Sequence, residues 1–370
     1  MQSGSASGIL RELVAIATPS SLSNLPLLHW VRNYIESLGW QVQLLPYADE
    51  RGVAKANFVA RPVGFSEDSK IDLAFICHTD TVPCADDWKG ALKLEEYNGN
   101  LHGCGSCDVK GALACFLAAV VRSGTIRSNV ALILTADEEI GCKGMDRLLA
   151  ANSLRIASAI VSEPTSLRPG IAGKGYGLAR ITVTGREAHS AFPRQGVSAI
   201  SAAARLIARI EDQFATSVLN DLFDPPQTTL NIGLIEGGTA KNIIPGRCTF
   251  LVEWRAVPGD DPQAILDQLR RIVEEAQAHS SATIHLEGLR AESGFAPAPQ
   301  GRLQERLSAL LTQKPTGISF GSEASRVARI SDEVIVIGPG DMRTAHSNRE
   351  CVSVAELEQW IETLVALFNQ

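Results

Sequence analysis

Residues 72–80 read DLAFICHTD, an apolar run that ends in an imidazole and a carboxylate. A run of this kind, without alternation of apolar and polar positions, reads as a strand buried on both faces, as in a parallel sheet covered by helices. The flanking stretches agree. QVQLL and NFVA precede it as short strands separated by turn residues, and Glu12 to Gly39 carries the apolar spacing of a helix that ends in glycine. After it come a helix over Gly111 to Arg122, the run VALILTA leading into acids, a further helix to Ala151 and the strand ASAIVSEP.

Beyond Tyr176 the rhythm changes to strand GLARITVTG, helix Val197 to Gln213, strands TTLNIGLIEGG and RCTFLVEWRAV, helix Asp261 to Ala278 and strand ATIHLEGL. That order, β-α-β-β-α-β, is the ferredoxin-like arrangement of a small two-layer domain. EVIVIGPG and a closing helix, Val354 to Phe368, then resume the first pattern. The expected architecture is α/β: a mostly parallel-sheet domain over 1–176 and 291–370, with a ferredoxin-like domain inserted over 177–290.

With 370 residues, 45% of them hydrophobic, the chain can bury full cores and has the length of two domains. Its 34 Lys and Arg against 41 Asp and Glu leave a net charge of −7, which repels a phosphate backbone and argues against a nucleic-acid partner. The first twenty residues lack the pattern of a signal peptide, and the longest apolar run, Ala112 to Val121, falls well short of the roughly 20 residues of a membrane helix. A cytoplasmic protein without a membrane partner is expected. For its eight scattered cysteines the expectation is no structural disulfide. Cys104 and Cys107 form a lone CxxC, which reads as small residues lining a tight loop more readily than as a redox or zinc pair.

His78, Asp108, Glu139, Glu163 and His346 fall at the ends of expected strands or in the loops just after them, where open α/β sheets bind ligands. Imidazole and carboxylate are the ligands of a catalytic zinc that lacks thiolates. Asp80 lies two residues after His78, on the same face of an extended strand, and is expected to orient the imidazole through its carboxylate. Asp108, in GCGSCDVKGALA, reads equally as a helix N-cap or as a carboxylate bridging two cations; it sits where a dinucleotide loop would need glycine. Glu138 and Glu139 are neighbours whose side chains diverge, so one can hold a metal while the other serves as general base. Taken singly, all of these residues but Asp108 read more often as structural.

Together, HTDTVP, GxGxxDxKG, ADEE, SEPTSLxP, KGxGxxxITVTGxxAHS, xNIIP and GPGxxxxAH run almost end to end along the chain. In this order they resemble the acetylornithine deacetylase and succinyl-diaminopimelate desuccinylase family of metal-dependent amidohydrolases. The resemblance implies a zinc-exopeptidase-like catalytic domain and two zinc ions per chain, with cobalt able to substitute. It also implies that Asp108 bridges the ions, with His78 and Glu163 completing one site and Glu139 and His346 the other, that Glu138 is the base, and that a cis peptide joins Asp108 to Val109. By the same likeness the insert forms a homodimer in which His189 and Asn242 reach the partner's active site to stabilise the oxyanion, and Arg255 binds a substrate carboxylate. FGSEAS is closer to the Thr-Glu-Ala form of acetylornithine deacetylases, which motivates Glu323 as the residue meeting a substrate ammonium. CADDWKGALKL lacks the Pro-Phe pair that relatives often place after the Trp, and Arg349 stands where many carry an acid. The implied substrate is a small N-acyl amino acid, N-acetylornithine foremost. Succinyl-diaminopimelate, N-acetylcitrulline and a dipeptide remain alternatives, as does a binding protein that has lost catalysis.

Overall fold

The structure, a computed structural model, describes residues 4–66, 69–85, 87–126, 128–151, 154–216 and 218–369. The chain divides into two units, one of Met1–Ile171, Pro297–Thr316 and Ser322–Gln370, the other of Ala172–Ala296 and Gly317–Gly321.

In the first unit the strand foreseen at 72–80 is Ile71–His78, in the middle of an eight-stranded sheet. Val130–Thr135 and Ile156–Val161 lie parallel to it on either side, and Ser331–Val336 runs parallel to Ile156–Val161. The hairpin of Trp40–Ala48 and Ala54–Pro62 joins antiparallel at one edge. Of Ile71–His78 only Asp72 is exposed, as expected of a strand covered on both faces. Helix Gly111–Ser123 is buried from Gly111 through Val120 and packs against helices Ala6–Ala15 and Val354–Phe368. Phe116 holds this layer together, its ring meeting Phe75, Trp40 and Phe368 with centroids 4.8, 5.8 and 5.4 Å away.

Two sequence expectations are corrected. The helical spacing of Glu12 to Gly39 belongs to two helices, Ala6–Ala15 and Leu25–Glu36. Pro19 disfavours helix at the residue before it. The segment between the helices instead pairs with the end of the central strand, Ser20 N–H donating to Thr81 O (3.0 Å) and Thr81 N–H to Thr18 O (2.9 Å). Cys84 and Cys104 form a disulfide where none was expected, because the loop after Asp80 and the turn at Gly103–Gly105 bring their Cα atoms to 6.3 Å. Cys107, the other half of the CxxC, is a free buried thiol.

The second unit has the order β-α-β-β-α-β: Tyr176–Thr184, helix Ala199–Gln213, Thr229–Gly237, Arg247–Arg255, helix Pro262–Ala278 and Thr283–Glu292. Its four strands are antiparallel, and burial along Arg247–Arg255 alternates residue by residue, as for a sheet with one face on a core. That core includes Ile181, Phe250, Trp254, Leu206 and Leu269. The two ends of the insert meet, Gly173 N–H donating to Phe295 O (3.0 Å) and Phe295 N–H to Gly173 O (3.1 Å). Among the described residues no helix is long and apolar enough to cross a membrane.

Gly177 leaves no room for a side chain, since a Cβ there would lie 1.7 Å from the buried Trp254 ring. Gly177→Ala is expected to destabilise the insert by about 1–3 kcal/mol through overpacking, read as a lower urea midpoint. An unchanged midpoint would show that the Trp254 ring yields freely.

Candidate metal centre

His78 ends the central strand, Glu138 and Glu139 follow Val130–Thr135, Glu163 follows Ile156–Val161, and His346 lies in the loop after Ser331–Val336. The carboxyl ends of four adjacent parallel strands thus deliver their side chains to one place. Asp108 arrives from the loop before helix Gly111–Ser123, and its peptide bond to Val109 is cis.

Asp108 is the common point. Its Oδ1 lies 3.0 Å from His78 Nε2, and its Oδ2 lies 3.1 Å from His346 Nε2. His346 Nε2 is also 3.1 Å from Glu139 Oε1. Ligand atoms of His78, Asp108 and Glu163 all lie within 4.8 Å of one another, and so do those of Asp108, Glu139 and His346. Two nitrogen and oxygen donor sets that share one carboxylate fit a pair of divalent cations, and zinc suits their chemistry.

Electrostatics point the same way. Burial and the neighbouring Asp108 and Glu138 hold Glu163 well above the usual carboxylate range. Burial, aided by Glu139 and Glu323, pushes Glu138 up to about 8. Burial works against the charged forms of His78 and Asp108 too, but hydrogen bonds and charge prevail: Asp108 raises His78, and His346 and His78 together lower Asp108. Hydrogen bonds to Asp108 and Glu139 raise His346 to about 10. Acids crowded in this way take up protons or cations.

Asp80 differs from its expected part. His78 Nδ1 is 2.9 Å from the Asp80 backbone carbonyl, whereas the Asp80 carboxylate is 3.8 Å away. That carboxylate instead accepts the N–H groups of Glu138 at 3.1 Å and Glu139 at 3.3 Å. Glu323 is buried near these acids; its Oε2 accepts from Thr135 Oγ1 at 2.9 Å, while Oε1 has no partner among the described residues. Cys77 is buried, and burial pushes its thiol up, away from the reactive thiolate.

Glu350 was not singled out in the sequence. Buried, it accepts the N–H groups of Gly105 (3.0 Å), Cys107 (2.9 Å) and Asp108 (3.0 Å), and so fastens the loop that presents Asp108. An acid thus does stand near His346, one residue beyond Arg349. Gly340 completes the loop's surroundings: its φ is +92°, and a Cβ there would come within 2.6 Å of Cys107 Sγ.

His189, Asn242 and Arg255 belong to the second unit. His189 lies on a short strand opposite Ile243, and Ser190 N–H donates to Asn242 O at 2.9 Å, so His189 and Asn242 are close neighbours. His189 is exposed, and its Nδ1 accepts from Ala191 N–H at 3.1 Å, so the neutral ring carries its proton on Nε2. Arg255 stacks 4.5 Å above the Tyr176 ring and donates Nε–H to Glu253 at 2.8 Å.

The metal-free protein is expected to lose stability as pH rises. With Glu323 at about 7 and Glu138 at about 8 against ordinary values of 4.5, the folded chain holds more protons than the unfolded one across that window, so unfolding becomes easier on going up. His346 adds stability that is complete below its ordinary 6.5 and is lost as pH rises toward about 10. Zinc takes the place of those protons, so its stabilising effect should grow over the same range. Denaturation midpoints near about pH 5.5 and about pH 8.5, with chelator and with zinc, check this; a chelated midpoint that climbs between them would contradict it.

Known proteins resemble the chain in sequence and in fold. Residues 171–281 match the family model described as a peptidase dimerisation domain. The chain is 39% identical over 352 residues to an acetylornithine deacetylase of Myxococcus xanthus, covering 94% of this chain and 92% of that protein. It is 30% identical over 371 residues to an acetylornithine deacetylase of Proteus mirabilis, covering 96% and 94%. In fold it is similar to a tripeptidase of Staphylococcus aureus (TM-score 0.79, 20% identity, 97% of this chain and 96% of that one). It is likewise similar to an M20 family metallo-carboxypeptidase of Sulfolobus solfataricus (TM-score 0.72, 17% identity, 97% and 98%). With a donor set for metal at the strand ends, a match to the dimerisation-domain model within the chain and 39% identity over most of its length to an acetylornithine deacetylase, the chain belongs to the acetylornithine deacetylase family of M20 metal-dependent hydrolases.

Proposed function

We propose that the enzyme hydrolyses the amide bond of N-acetylornithine to ornithine and acetate, serving arginine biosynthesis. Two zinc ions would be held by His78, Asp108 and Glu163 and by Asp108, Glu139 and His346. The observation that carries the reading is the pair of donor triads sharing Asp108. The similarity to proteins named acetylornithine deacetylase supports the choice of substrate.

When bound, the ions supply Lewis acidity, polarising the scissile carbonyl and making a water molecule acidic at neutral pH. Glu138 takes the proton of the attacking water and passes it to the leaving nitrogen. Its half-buried place beside Glu139 makes it hold a proton more readily than a surface carboxylate. His189 Nε2–H, with Asn242 beside it, is a donor for the negative oxygen of the transition state. Arg255 meets the substrate's α-carboxylate; because Nε is committed to Glu253, its terminal nitrogens do so. The orphaned Oε1 of buried Glu323 is matched by the ammonium of an ornithine side chain.

His189 and Asn242 would act in a partner's site within a homodimer. The edge strand Thr229–Gly237 supports that assembly, since it exposes Leu234 and Ile235, each 51% accessible. The cytoplasm is the compartment this metabolic reading favours; the Cys84–Cys104 bond is the feature that pulls the other way.

Zinc-loaded protein is expected to turn over N-acetylornithine faster than succinyl-diaminopimelate or acetylated neutral amino acids, and chelator should abolish the activity. Glu138→Ala should keep both metals and lose about 100-fold or more in kcat; a metal-free variant would reassign Glu138 as a ligand. Glu323→Gln should raise KM for N-acetylornithine while sparing acetylated neutral amino acids. Equal losses on both would remove Glu323 from side-chain recognition.

A further inference from the structure

The Glu138–Glu139 dipeptide is enclosed by a ring of buried contacts that the reaction itself does not use. On one side Asp80 accepts both of its N–H groups, and Ser20 Oγ–H donates to Asp80 Oδ2 at 2.7 Å. The Ser20 carbonyl accepts from Lys55 Nζ at 2.8 Å. Lys55 Nζ in turn is ion-paired with Asp137, the residue before Glu138, and the main chain closes the ring. Tyr47, directly across the hairpin from Lys55, donates its hydroxyl to Asp137 Oδ2 at 3.0 Å, and the Arg147 guanidinium lies 4.7 Å above its ring.

Two features mark this ring as more than support for the fold. Lys55 and Asp137 have side chains only 1% exposed, and a well-packed apolar pair would serve stability as well as a buried ion pair does. An apolar pair would not hold the backbone, however. Asp137 has φ +60°, a left-handed conformation that Asp and Asn adopt more readily than other side chains, and it turns the chain sharply as it leaves the strand. The acid pair enters the site directly after that turn.

We propose that Lys55, acting through Asp137, is a positioning residue for the acid pair: it holds the turn from behind while Asp80 holds the two amides from in front. The inference rests on the base and ligand roles given above to Glu138 and Glu139. It separates those roles physically, because a dipeptide fixed at both ends keeps one carboxylate on a metal while its neighbour faces the water.

The double variant Lys55→Met/Asp137→Asn tests it, leaving no uncompensated buried charge and keeping a residue that tolerates the left-handed turn. Its denaturation midpoint should stay near that of the parent. In calorimetric titration of the apoprotein, zinc affinity at the Glu139–His346 site should fall roughly 10- to 100-fold. At saturating zinc, kcat for N-acetylornithine should fall roughly 10-fold or more with KM unchanged. Parental zinc affinity together with parental kcat overturns the inference. Should the double variant not fold, Lys55→Gln/Asp137→Asn removes the ion pair while leaving polar side chains at both positions. It is expected to lower zinc affinity and kcat at unchanged KM, and a folded Lys55→Gln/Asp137→Asn protein with parental zinc affinity and kcat overturns the inference equally. Glu138→Ala separates the two levels. Full turnover there would remove the base assignment itself, whereas its loss beside parental ring variants would remove only the part given to Lys55.

Discussion

The catalytic unit is organised around one carboxylate held between two imidazoles. Asp108 faces His78 with one oxygen and His346 with the other, and Glu163 and Glu139 crowd in from either side. Such a concentration of acid is unfavourable in a folded interior unless positive charge enters with it. The fold answers by clamping the backbone instead of the reactive groups: Glu350 gathers the amides of the Asp108 loop, and Asp80 gathers those of Glu138 and Glu139. Those two carboxylates face inward on N–H groups, which leaves the central acids free to face one another.

Much of this was legible along the chain. Strands buried on both faces announce themselves as unbroken apolar runs, and a polar residue at the end of such a run has few places to go but the sheet's carboxyl edge. His78, Glu139 and Glu163 were found that way, and the insert's order followed from the change in periodicity. What stayed hidden depends on contacts between distant segments. Glu350 looks like an ordinary polar residue after a turn until its three amide partners appear. Lys55 sits in a short strand where a lysine reads as solvent-exposed, and its burial is explained by its distant partners, Asp137 and the Ser20 carbonyl. Cys84 and Cys104 are separated by a loop whose path one sequence does not specify. The helix read from Glu12 failed for a local reason, because Pro19 outweighs apolar spacing.

The insert carries its own charge arrangement. Tyr176 lies between two guanidinium groups, Arg255 at 4.5 Å and Arg290 at 4.8 Å, and each arginine is balanced by an acid on its own strand, Glu253 and Glu292. An aromatic face flanked in this way limits the rotamers of both arginines. The carboxylate-binding part proposed above for Arg255 would gain from such restriction, since less freedom would remain to be lost on binding.

The hydrogen bonds that join Gly173 to Phe295 bear on how the chain is made. Strand Ser331–Val336, which completes the parallel sheet beside Ile156–Val161, leaves the ribosome only after the whole insert has emerged. An insert that folds as soon as it is complete draws its own two ends together, so the late strand returns across a short gap instead of searching from the end of a long loose loop. Assembly of the candidate metal centre, whose last donor in the chain, His346, follows that strand, is thereby coupled to maturation of a domain that contributes no residue to either donor triad among the described residues.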